Sequence, residues 1–521
     1  MICKVFSANE WLYPDTDIST GESQIKLISA KQGFACCQIM IQADAEEIDL
    51  VWDTTQSDFL PPEVFKLHSV YVGLNTAENG FTMKRGMQAD HYTRQAPFWV
   101  YDAMEPIDNK AVKKEKSGLI ALYLKWSIKN MNAGVYKAKL QVNTEVLPVQ
   151  ITVYDVTIPQ KEKLRLTNWF SIENIATSHR VEMWSDKHWE LIEEYAKIMR
   201  YTRQTDFRFP ISSIEVQKNY DGKYLFDFSR LERFIKLFLS LGFRYIESPT
   251  LIHRVTWEGN EVVIDILGKR VSVFTDEAYS YLQGYFTGLY QLYKQNGWLN
   301  IVAQHVFDEP HENCVWEYKA LSGMVRKWMP GIKIIEAVTV PNLDGAVDIW
   351  VPMIHKLSEN YNDYDRKRIN GDDLWFYTCC VPGGKHLNRL LDQELLRTRY
   401  LHWINRLYDL KGYLHWGLNR WRKGTDPFRF GDEKIVTLNE NPLPCGDTHI
   451  VYPGNSMPWG SVRLEMMRAG CEDYELLEML ASIDEEKTGL IVSKCVRSFT
   501  DYTTDVSVFE KVYEELLKSL S

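Results

Sequence analysis

The hydrophobic period of the chain changes near Pro159, and this change constrains the fold more than any other feature of the sequence. In residues 1–159, apolar and polar residues alternate one by one, as in β-strands with one buried face. In residues 160–485, short apolar runs alternate with amphipathic segments of helical length, as in a parallel α/β domain. We therefore predict a domain boundary near Pro159.

The N-terminal residues 1–159 predict a β-sandwich. The stretch GVYKAKLQV places Val135 and Lys137 on one face of a strand and Tyr136 and Leu140 on the other. Turn-forming residues separate such strands at short spacing along the chain. This spacing favours two packed sheets, each with one buried face.

Residues 160–485 predict a (β/α)8 barrel, the TIM-barrel fold, because eight apolar runs interleaved with helices favour a closed barrel over an open sheet. A closing helix at 461–482 and a C-terminal helical extension at 486–521 are expected to pack on the barrel. The eight predicted strands are 164–170, 204–209, 242–247, 299–307, 332–338, 346–351, 374–379 and 411–417. The predicted helices between them are 186–200, 229–241, 275–296, 312–329 and 388–409.

The overall charge and hydropathy exclude two classes of partner. The chain has 521 residues and a formal net charge of -10, whereas a nucleic-acid partner requires a concentrated cationic surface. The longest apolar runs are interrupted by Lys125 and Lys236, so none reaches the roughly 20 residues that span a bilayer. We predict no nucleic-acid partner and no membrane span.

The cysteines and the N-terminus predict a cytoplasmic protein. The nine cysteines include the pairs Cys36-Cys37 and Cys379-Cys380, but they lack the regular spacing of a disulfide framework. The residues after Met1 lack the basic start, the apolar segment and the cleavage site of a signal peptide. Reduced thiols and a cytoplasmic location are the resulting expectations.

The adjacent acids Asp308 and Glu309 are the predicted catalytic pair. They end the fourth predicted strand, and the carboxyl ends of barrel strands carry active sites. One carboxyl could protonate a leaving oxygen while the other assists at a sugar, and adjacent acids raise each other's pKa. On the short sequence alone, a simpler interpretation stays open, in which Asp308 caps the following helix.

The sequence predicts neither a metal nor a cofactor. His305 and His311 flank the acidic pair, but their spacing is not one that metal ligands commonly use. Neither a glycine-rich phosphate loop nor a GxSxG motif before a helix occurs in the chain. Kinase-like and esterase-like chemistry therefore have no support.

Aromatic and amide side chains at other strand ends suit a sugar-binding wall. Trp375 and Tyr377 share one face of the seventh strand, because they are two residues apart. The eighth strand leads through Trp416 and Asn419 to Trp421. Each aromatic residue alone is more typical of a core position than of a binding site. Their clustering at strand ends favours substrate binding.

Seven stretches of the chain resemble glycoside hydrolase family 123 and its wider group of relatives. Together they span most of residues 97–480, and GYLHWGLNRW and SVRLEMMRAGCEDYELL are the most distinctive. The resemblance implies an N-terminal β-sandwich followed by a (β/α)8 barrel. The stretches are PFWVYDAMEP at 97–106, GVYKAKLQV at 134–142, FDFSRLERFIKLFLSLGFRYIE at 226–247, FDEP at 307–310, LWFYTCC at 374–380, GYLHWGLNRW at 412–421 and SVRLEMMRAGCEDYELL at 461–477.

The resemblance also implies an activity, that of an exo-acting β-N-acetylgalactosaminidase working by substrate assistance on a small oligosaccharide or glycoconjugate. In that mechanism the substrate's own 2-acetamido oxygen attacks C1 and gives an oxazolinium intermediate. By matching positions, Asp308 orients the acetamide N–H, and Glu309 is the general acid and then the general base.

The residues implied for substrate binding surround this pair. Tyr377 and Trp416 match positions that wall the acetamido pocket, with Trp375, Asn419 and Trp421 nearby. The sequence departs from the family pattern at 203–205, which reads Arg-Gln-Thr where relatives carry a His-Arg type pair. The identity of the sugar, galacto or gluco, and the oligomeric state are left open.

Two other functions stay open at this stage. A conventional retaining glycosidase would pair Glu309 with a carboxylate on a distant strand, such as Glu247 or Glu336. A non-catalytic carbohydrate-binding protein would keep the aromatic wall without the chemistry.

Overall fold

The computed structural model describes residues 1–43, 47–83, 86–89, 91–107, 111–113, 119–256, 259–422, 424–431 and 442–521. Within these ranges, no helix is both long enough and apolar enough to cross a bilayer.

The N-terminal region is built from strands, as predicted. These strands form two sheets. The strands are β1 (Ile2–Ser7), β2 (Ile25–Lys31), β3 (Phe34–Gln42), β4 (Glu47–Asp53), β5 (Glu63–Val72), β6 (Phe98–Pro106), β7 (Ala111–Lys113), β8 (Leu119–Ser127), β9 (Gly134–Val142) and β10 (Glu145–Thr157). One sheet has the order β1-β3-β8-β5-β6, and the other has the order β2-β10-β9-β4-β7.

Side chains from both sheets share one buried cluster. Ile39 and Leu122 belong to the first sheet, whereas Leu140 and Ile151 belong to the second, and all four lie in this cluster. Alternate residues of each strand face it, since side chains point to opposite faces of a strand in turn. The two sheets therefore pack face to face.

From Arg165 onward, helices alternate with short strands. The elements are β11 (Arg165–Asn168), α1 (Ile172–His179), α2 (Asp186–Tyr201), β12 (Asp206–Arg208), β13 (Glu215–Lys218), β14 (Tyr224–Asp227), α3 (Ser229–Ser240), β15 (Tyr245–Ser248), β16 (Ile252–Arg254), β17 (Val262–Ile266), β18 (Lys269–Ser272), α4 (Asp276–Gln295), β19 (Val302–Gln304), α5 (Val315–Trp328), β20 (Lys333–Val338), β21 (Ile349–Pro352), α6 (Ile354–Glu359), α7 (Tyr361–Ile369), β22 (Asp373–Leu374), β23 (Phe376–Tyr377), α8 (Leu396–Leu407), β24 (Gly412–His415), β25 (Arg429–Phe430), β26 (Gly460–Ser461), α9 (Val462–Ala481), α10 (Glu485–Cys495) and α11 (Val506–Leu520).

Each of the eight predicted strands of this region overlaps an observed strand, and the pairings among these strands are parallel. One run has the order β12-β15-β19-β20-β21-β22, and a second has the order β11-β24-β23. Only Trp375 separates β22 from β23, and its N–H donates to the Trp350 carbonyl at 2.8 Å, so the seventh predicted strand links the two runs. The α/β class is confirmed.

The N-terminal sheet receives two strands from the C-terminal part of the chain. β25 pairs with β5, and β26 pairs with β6. Immediately after β26, Arg463 forms an ion pair with Asp102 of β6, with 2.8 Å between Nη2 and Oδ2 and both side chains fully buried. The hydroxyl of Tyr452 also donates to Oδ2 of Asp102, at 2.7 Å. These contacts join the strand-rich region to helix α9.

The Asp102–Arg463 pair gives a prediction on stability. Asp102→Asn leaves the Arg463 charge buried without its counter-ion, so we expect the free energy of unfolding to fall by about 3–5 kcal/mol. Lys187→Met removes one partner of the exposed Lys187–Glu190 pair. This substitution should change the free energy of unfolding by less than ~1 kcal/mol. Urea unfolding followed by circular dichroism measures both. Equal changes in the two variants would contradict the role given to the buried pair.

Candidate active site

The carboxyl ends of the parallel strands meet at one edge of the α/β region, which is where α/β enzymes place their chemistry. The predicted pair Asp308 and Glu309 follows β19 there. Tyr377 is the last residue of β23, and Arg208 is the last residue of β12. These four side chains therefore belong to three different strand ends at the same edge.

Two contacts fix Glu309 in an unusual backbone conformation. Its φ angle of 48° lies in the left-handed region, which costs a non-glycine residue about 1–3 kcal/mol. Its N–H donates to the carbonyl of Ala337 in β20 at 3.1 Å, and the Tyr377 hydroxyl donates to its carboxylate atom Oε1. Such strain persists where the surroundings over-determine a conformation, and it is frequent at active sites.

The surroundings of Glu309 favour its protonated form. Burial raises the pKa of Glu309 to about 8, with a further contribution from the negative charge of Asp308, while Tyr377 and Arg254 act in the opposite direction. At pH 7 the carboxyl therefore holds a proton. Because Oε1 already accepts the Tyr377 hydrogen bond, Oε2 is the oxygen free to carry that proton.

Asp308 differs from its neighbour in exposure and in contacts. Its side chain is open to solvent, yet the protein around it is dense enough that loss of solvation raises its pKa. The positive charges of Arg208, His305 and Arg254 oppose that rise. Within the described ranges, its carboxylate accepts no hydrogen bond. Asp308 thus presents a free carboxylate in a cleft that cations surround.

A buried ionic layer lies beneath the pair. His305 lies between two carboxylates: its Nε2 is 2.7 Å from Oε1 of Glu247, and its Nδ1 is 2.7 Å from Oε1 of Glu336. Burial lowers the pKa of His305, but the two carboxylates outweigh it and raise the pKa to about 9. His305 is therefore an imidazolium at pH 7, and neither of its nitrogens is available to a metal.

Each of the two carboxylates has further donors. Glu247 accepts from the Thr167 hydroxyl at 2.6 Å and from the indole N–H of Trp169 at 2.5 Å. Glu336 accepts from the N–H groups of Val306 at 2.8 Å and Phe307 at 3.1 Å. Both acids are thus committed to internal contacts.

The alternative of Asp308 as a helix cap does not match the structure. The short turn Glu312–Cys314 is capped by His311, whose side chain accepts from the N–H of Asn313. Helix α5 then starts at Val315. Because the capping position lies three residues after Asp308, the Asp308 carboxylate is free for another role.

Of the five predicted binding residues, Tyr377 and Trp416 lie at the catalytic edge. Tyr377 contacts Glu309 directly, as described above. Trp416 follows β24, is partly exposed, and donates from its indole N–H to Oδ1 of Asp447 at 3.2 Å. It packs on the same buried cluster as Tyr377.

The other three predicted binding residues contact neighbours other than the two acids. Trp375 is 1% exposed and lies at the level of the strand starts, beneath the guanidinium of Arg165 and beside Gly412. Asn419 uses its amide on the backbone of Ser171, accepting at 2.8 Å and donating at 3.0 Å. The indole of Trp421 donates to the Ser178 hydroxyl in α1 at 2.6 Å. These contacts hold loops in place.

Sequence reasoning missed the arginines of the cleft. Arg208 is the last residue but one of the second predicted strand, 204–209, and a charged residue near a strand end was the available signal. Arg254 ends β16, a strand of a small antiparallel sheet that the sequence pattern did not indicate. Both side chains act on the pKa of Asp308.

A buried carboxyl with a raised pKa beside an exposed carboxyl, at the strand ends of an α/β domain, suits the acid chemistry of glycoside hydrolysis. The family model "Glycoside hydrolase 123, catalytic domain" matches residues 169–480, well over half of the chain. The chain belongs to glycoside hydrolase family 123. No curated protein sequence matches it.

A solved structure agrees with this fold. The structure of a family 123 glycoside hydrolase from Clostridium perfringens, described in terms of glycolipid glycan hydrolysis, aligns with a TM-score of 0.73 and 13% identity, covering 100% of this chain and 96% of that one. More distant is the CBM22-GH10 xylanase 10B of Clostridium thermocellum, with a TM-score of 0.35, 10% identity, and 90% and 94% coverage. The first match supports the fold.

The ionic layer gives a prediction on pH dependence. The folded-state pKa of His305, about 9, lies above its ordinary value of 6.5, so its contribution to stability is complete below pH 6.5 and is lost as pH rises through 9. We expect wild type to be several kcal/mol more stable than His305→Gln at pH 6, with a smaller difference at pH 9.5. Urea unfolding of both proteins at the two pH values measures it. A difference that does not vary with pH would contradict a charged His305.

Proposed function

We propose that the protein is an exo-acting retaining glycoside hydrolase that removes terminal β-linked N-acetylgalactosamine, or a related 2-acetamido sugar, by substrate assistance. The observation that carries this proposal is the contrast within the adjacent pair: Glu309 is buried and holds a proton, whereas Asp308 is an open carboxylate. The substrate in this proposal is a small oligosaccharide or glycoconjugate.

In the first step, the carbonyl oxygen of the 2-acetamido group attacks C1. The bond from C1 to the leaving oxygen breaks as Glu309 gives its proton to that oxygen. Asp308 accepts a hydrogen bond from the acetamide N–H and balances the positive charge that develops on the oxazolinium. In the second step, the Glu309 carboxylate takes a proton from water as the water attacks C1, which restores both the acid and the acetamide.

Adjacency supports this mechanism over the conventional one. The two carboxyls of a conventional retaining enzyme face each other across the sugar at roughly 5 Å, and consecutive residues cannot flank a ring in that way. The candidates for a distant partner, Glu247 and Glu336, are buried against the His305 imidazolium. Neither is free to attack a sugar carbon.

A purely carbohydrate-binding role explains less of the site. It would need neither the left-handed backbone of Glu309 nor a carboxyl whose pKa lies near 8. Both features lower the stability of the fold. A role of Glu309 in proton transfer would explain why the protein retains them.

The substrate pocket in this proposal is walled by Tyr377 and Trp416. Tyr377 sets the position of the acid, and Trp416 offers a partly exposed ring to the sugar or its acetamido group. Of the other predicted residues, Trp375 packs in the same buried cluster as Tyr377, whereas Asn419 and Trp421 hold Ser171 and Ser178. No cofactor or metal takes part.

The proposal extends to architecture and location. We infer that the eight parallel strands close into a TIM barrel, because the Thr205 N–H donates to the Leu166 carbonyl at 3.1 Å between the two outer strands β12 and β11. The domains would be 1–159, 160–485 and 486–521. We also infer a cytoplasmic location, since the nine cysteines are unpaired.

Replacing each acid should impair the enzyme differently. Glu309→Gln removes proton transfer, a contribution of about 10²–10⁴-fold, so aryl glycosides with acidic phenol leaving groups should retain far more activity than natural glycosides. Asp308→Asn removes the charge that balances the oxazolinium, so good leaving groups should not rescue it. Comparison of kcat/KM across aryl N-acetyl-β-galactosaminides measures both, and Glu312→Gln, an exposed acid nearby, is the matched control.

A further pair of reagents tests the mechanism itself. A thiazoline analogue of the bicyclic intermediate should inhibit wild type competitively, and aryl β-galactosides with a 2-hydroxyl should not turn over. Comparable hydrolysis of the 2-hydroxy glycoside, or no binding of the thiazoline, would replace this mechanism with the conventional one.

The Tyr377 hydrogen bond should be visible in the pH profile. If Glu309 is the acid, kcat/KM falls as pH rises through its pKa, about 8 in the free enzyme. Tyr377→Phe removes a donor that lowers this pKa, so the alkaline limb should move to higher pH while the maximum rate decreases. A limb that stays in place, or moves to lower pH, would show that the group titrating there is not Glu309.

A further inference from the structure

We propose that Arg208 and Arg420 form an anion subsite at the rim of the catalytic cleft, which binds a sulfate ester or a carboxylate on the glycan. The inference rests on the proposed function and deepens it, because it assigns a substrate class, acidic glycans, to the same site.

Arg208 brings a guanidinium with unused donors to the cleft. Its guanidinium carbon lies 4.1 Å from the ring centre of Trp169, and its charge acts on Asp308. Its Nε is buried without a hydrogen-bond partner, and within the described ranges the side chain makes no hydrogen bond and no ion pair. An arginine has five N–H donors in a rigid plane, so this site is built to receive an acceptor.

Arg420 contacts the residue that follows Trp169. Its Nη2 makes a long contact of 3.4 Å with the carbonyl of Phe170, the residue after Trp169, and its buried Nε has no partner. The Arg420 N–H donates to the Thr448 carbonyl at 3.0 Å, which holds the backbone at the cleft edge. The two guanidinium groups therefore lie over consecutive residues.

Among the described residues, no carboxylate forms a close ion pair with either arginine. Burial, together with the positive charge of Arg208, lowers the pKa of Arg420 to about 10, and Glu173 acts in the opposite direction. Glu173 is exposed and binds the hydroxyls of Ser171 and Ser212. Arg420 thus lacks a carboxylate of its own, among the residues that the structure describes.

An anion fits this arrangement better than a sugar hydroxyl. A hydroxyl would satisfy one or two N–H donors and leave both positive charges uncompensated, whereas a sulfate or carboxylate would satisfy donors of both arginines and relieve their repulsion. The positive charge of Arg208 acts on the carboxylates of Asp308 and Glu247, but Glu247 is already bound to His305. The whole chain carries a net charge of -10, so these cations are a local feature.

The first test compares acidic and neutral substrates. Two acidic arms separate the sources of charge: an aryl N-acetyl-β-galactosaminide sulfated on the sugar, and a disaccharide in which the amino sugar is linked to a uronic acid. We expect wild type to prefer at least one acidic substrate over its neutral counterpart by tenfold or more in kcat/KM. Arg420→Gln should reduce this ratio at least tenfold.

The matched control is Arg233→Gln. Arg233 lies over the Trp189 ring at 4.1 Å, as Arg208 lies over Trp169, but it is an exposed residue of helix α3. The substitution removes the same charge as Arg420→Gln at a position on helix α3, so the ratio of acidic to neutral kcat/KM should stay within twofold of wild type. Arg420→Gln is a sharper test than a change at Arg208, because Arg208 also acts on the pKa of Asp308.

A second measurement does not depend on catalysis. Inorganic sulfate, compared with chloride at equal ionic strength, should bind wild type in calorimetry and bind Arg420→Gln at least tenfold more weakly. This separates the two proposals: if no 2-acetamido glycoside is hydrolysed, the proposed function fails, while sulfate binding still reports on the subsite. Equal sulfate binding by both proteins, or a substrate ratio that Arg420→Gln leaves unchanged, would overturn the anion subsite.

Discussion

The active-site edge of this protein depends on one buried imidazolium. His305 joins three neighbouring strands, because it follows β19 and binds Glu247 of β15 and Glu336 of β20. Glu336 also accepts hydrogen bonds from the backbone N–H groups of Val306 and Phe307. These bonds fix the segment that leads to Asp308 and Glu309. A single proton on His305 keeps two buried carboxylates from repelling each other, which they could not tolerate in a low-dielectric interior. This rigid support stabilises the strained backbone conformation of Glu309.

Much of the fold could be predicted from the sequence, because hydrophobic period follows directly from strand and helix geometry. All eight predicted strands overlap observed ones, although the fourth, 299–307, shrinks to β19, because Leu299–Ile301 form a short 3-10 helix before it and residues 305–307 form the loop that leads to the acids. The helix predicted at 388–409 begins only at Leu396. Before it, Leu391 and Leu395 pack against the N-terminal sheet, and Arg389 binds the eighth-strand segment. Such contacts between distant segments override a local pattern.

The candidate site could be predicted in part. Asp308 and Glu309 stand together in the chain, so their proximity needed no knowledge of topology, and Tyr377 followed from its place at a strand end. Trp375 shares that strand face, but the structure places it near the amino ends of the strands, beside Gly412. A period of two shows which face of a strand a residue occupies, but not how near it lies to the carboxyl end. The role of Arg208 depends on which strands are neighbours, and no local signal carries that information.

The pairing of distant segments has a consequence for how the chain is made. β11 finds its partner β24 only after the ribosome has added more than two hundred residues, and the N-terminal sheet waits longer still for β26. At about 5–20 residues per second, this delay is on the order of tens of seconds. During translation, β5, β6 and β11 therefore present unsatisfied backbone edges, and these are the segments that a chaperone would need to shield until the last third of the protein has emerged.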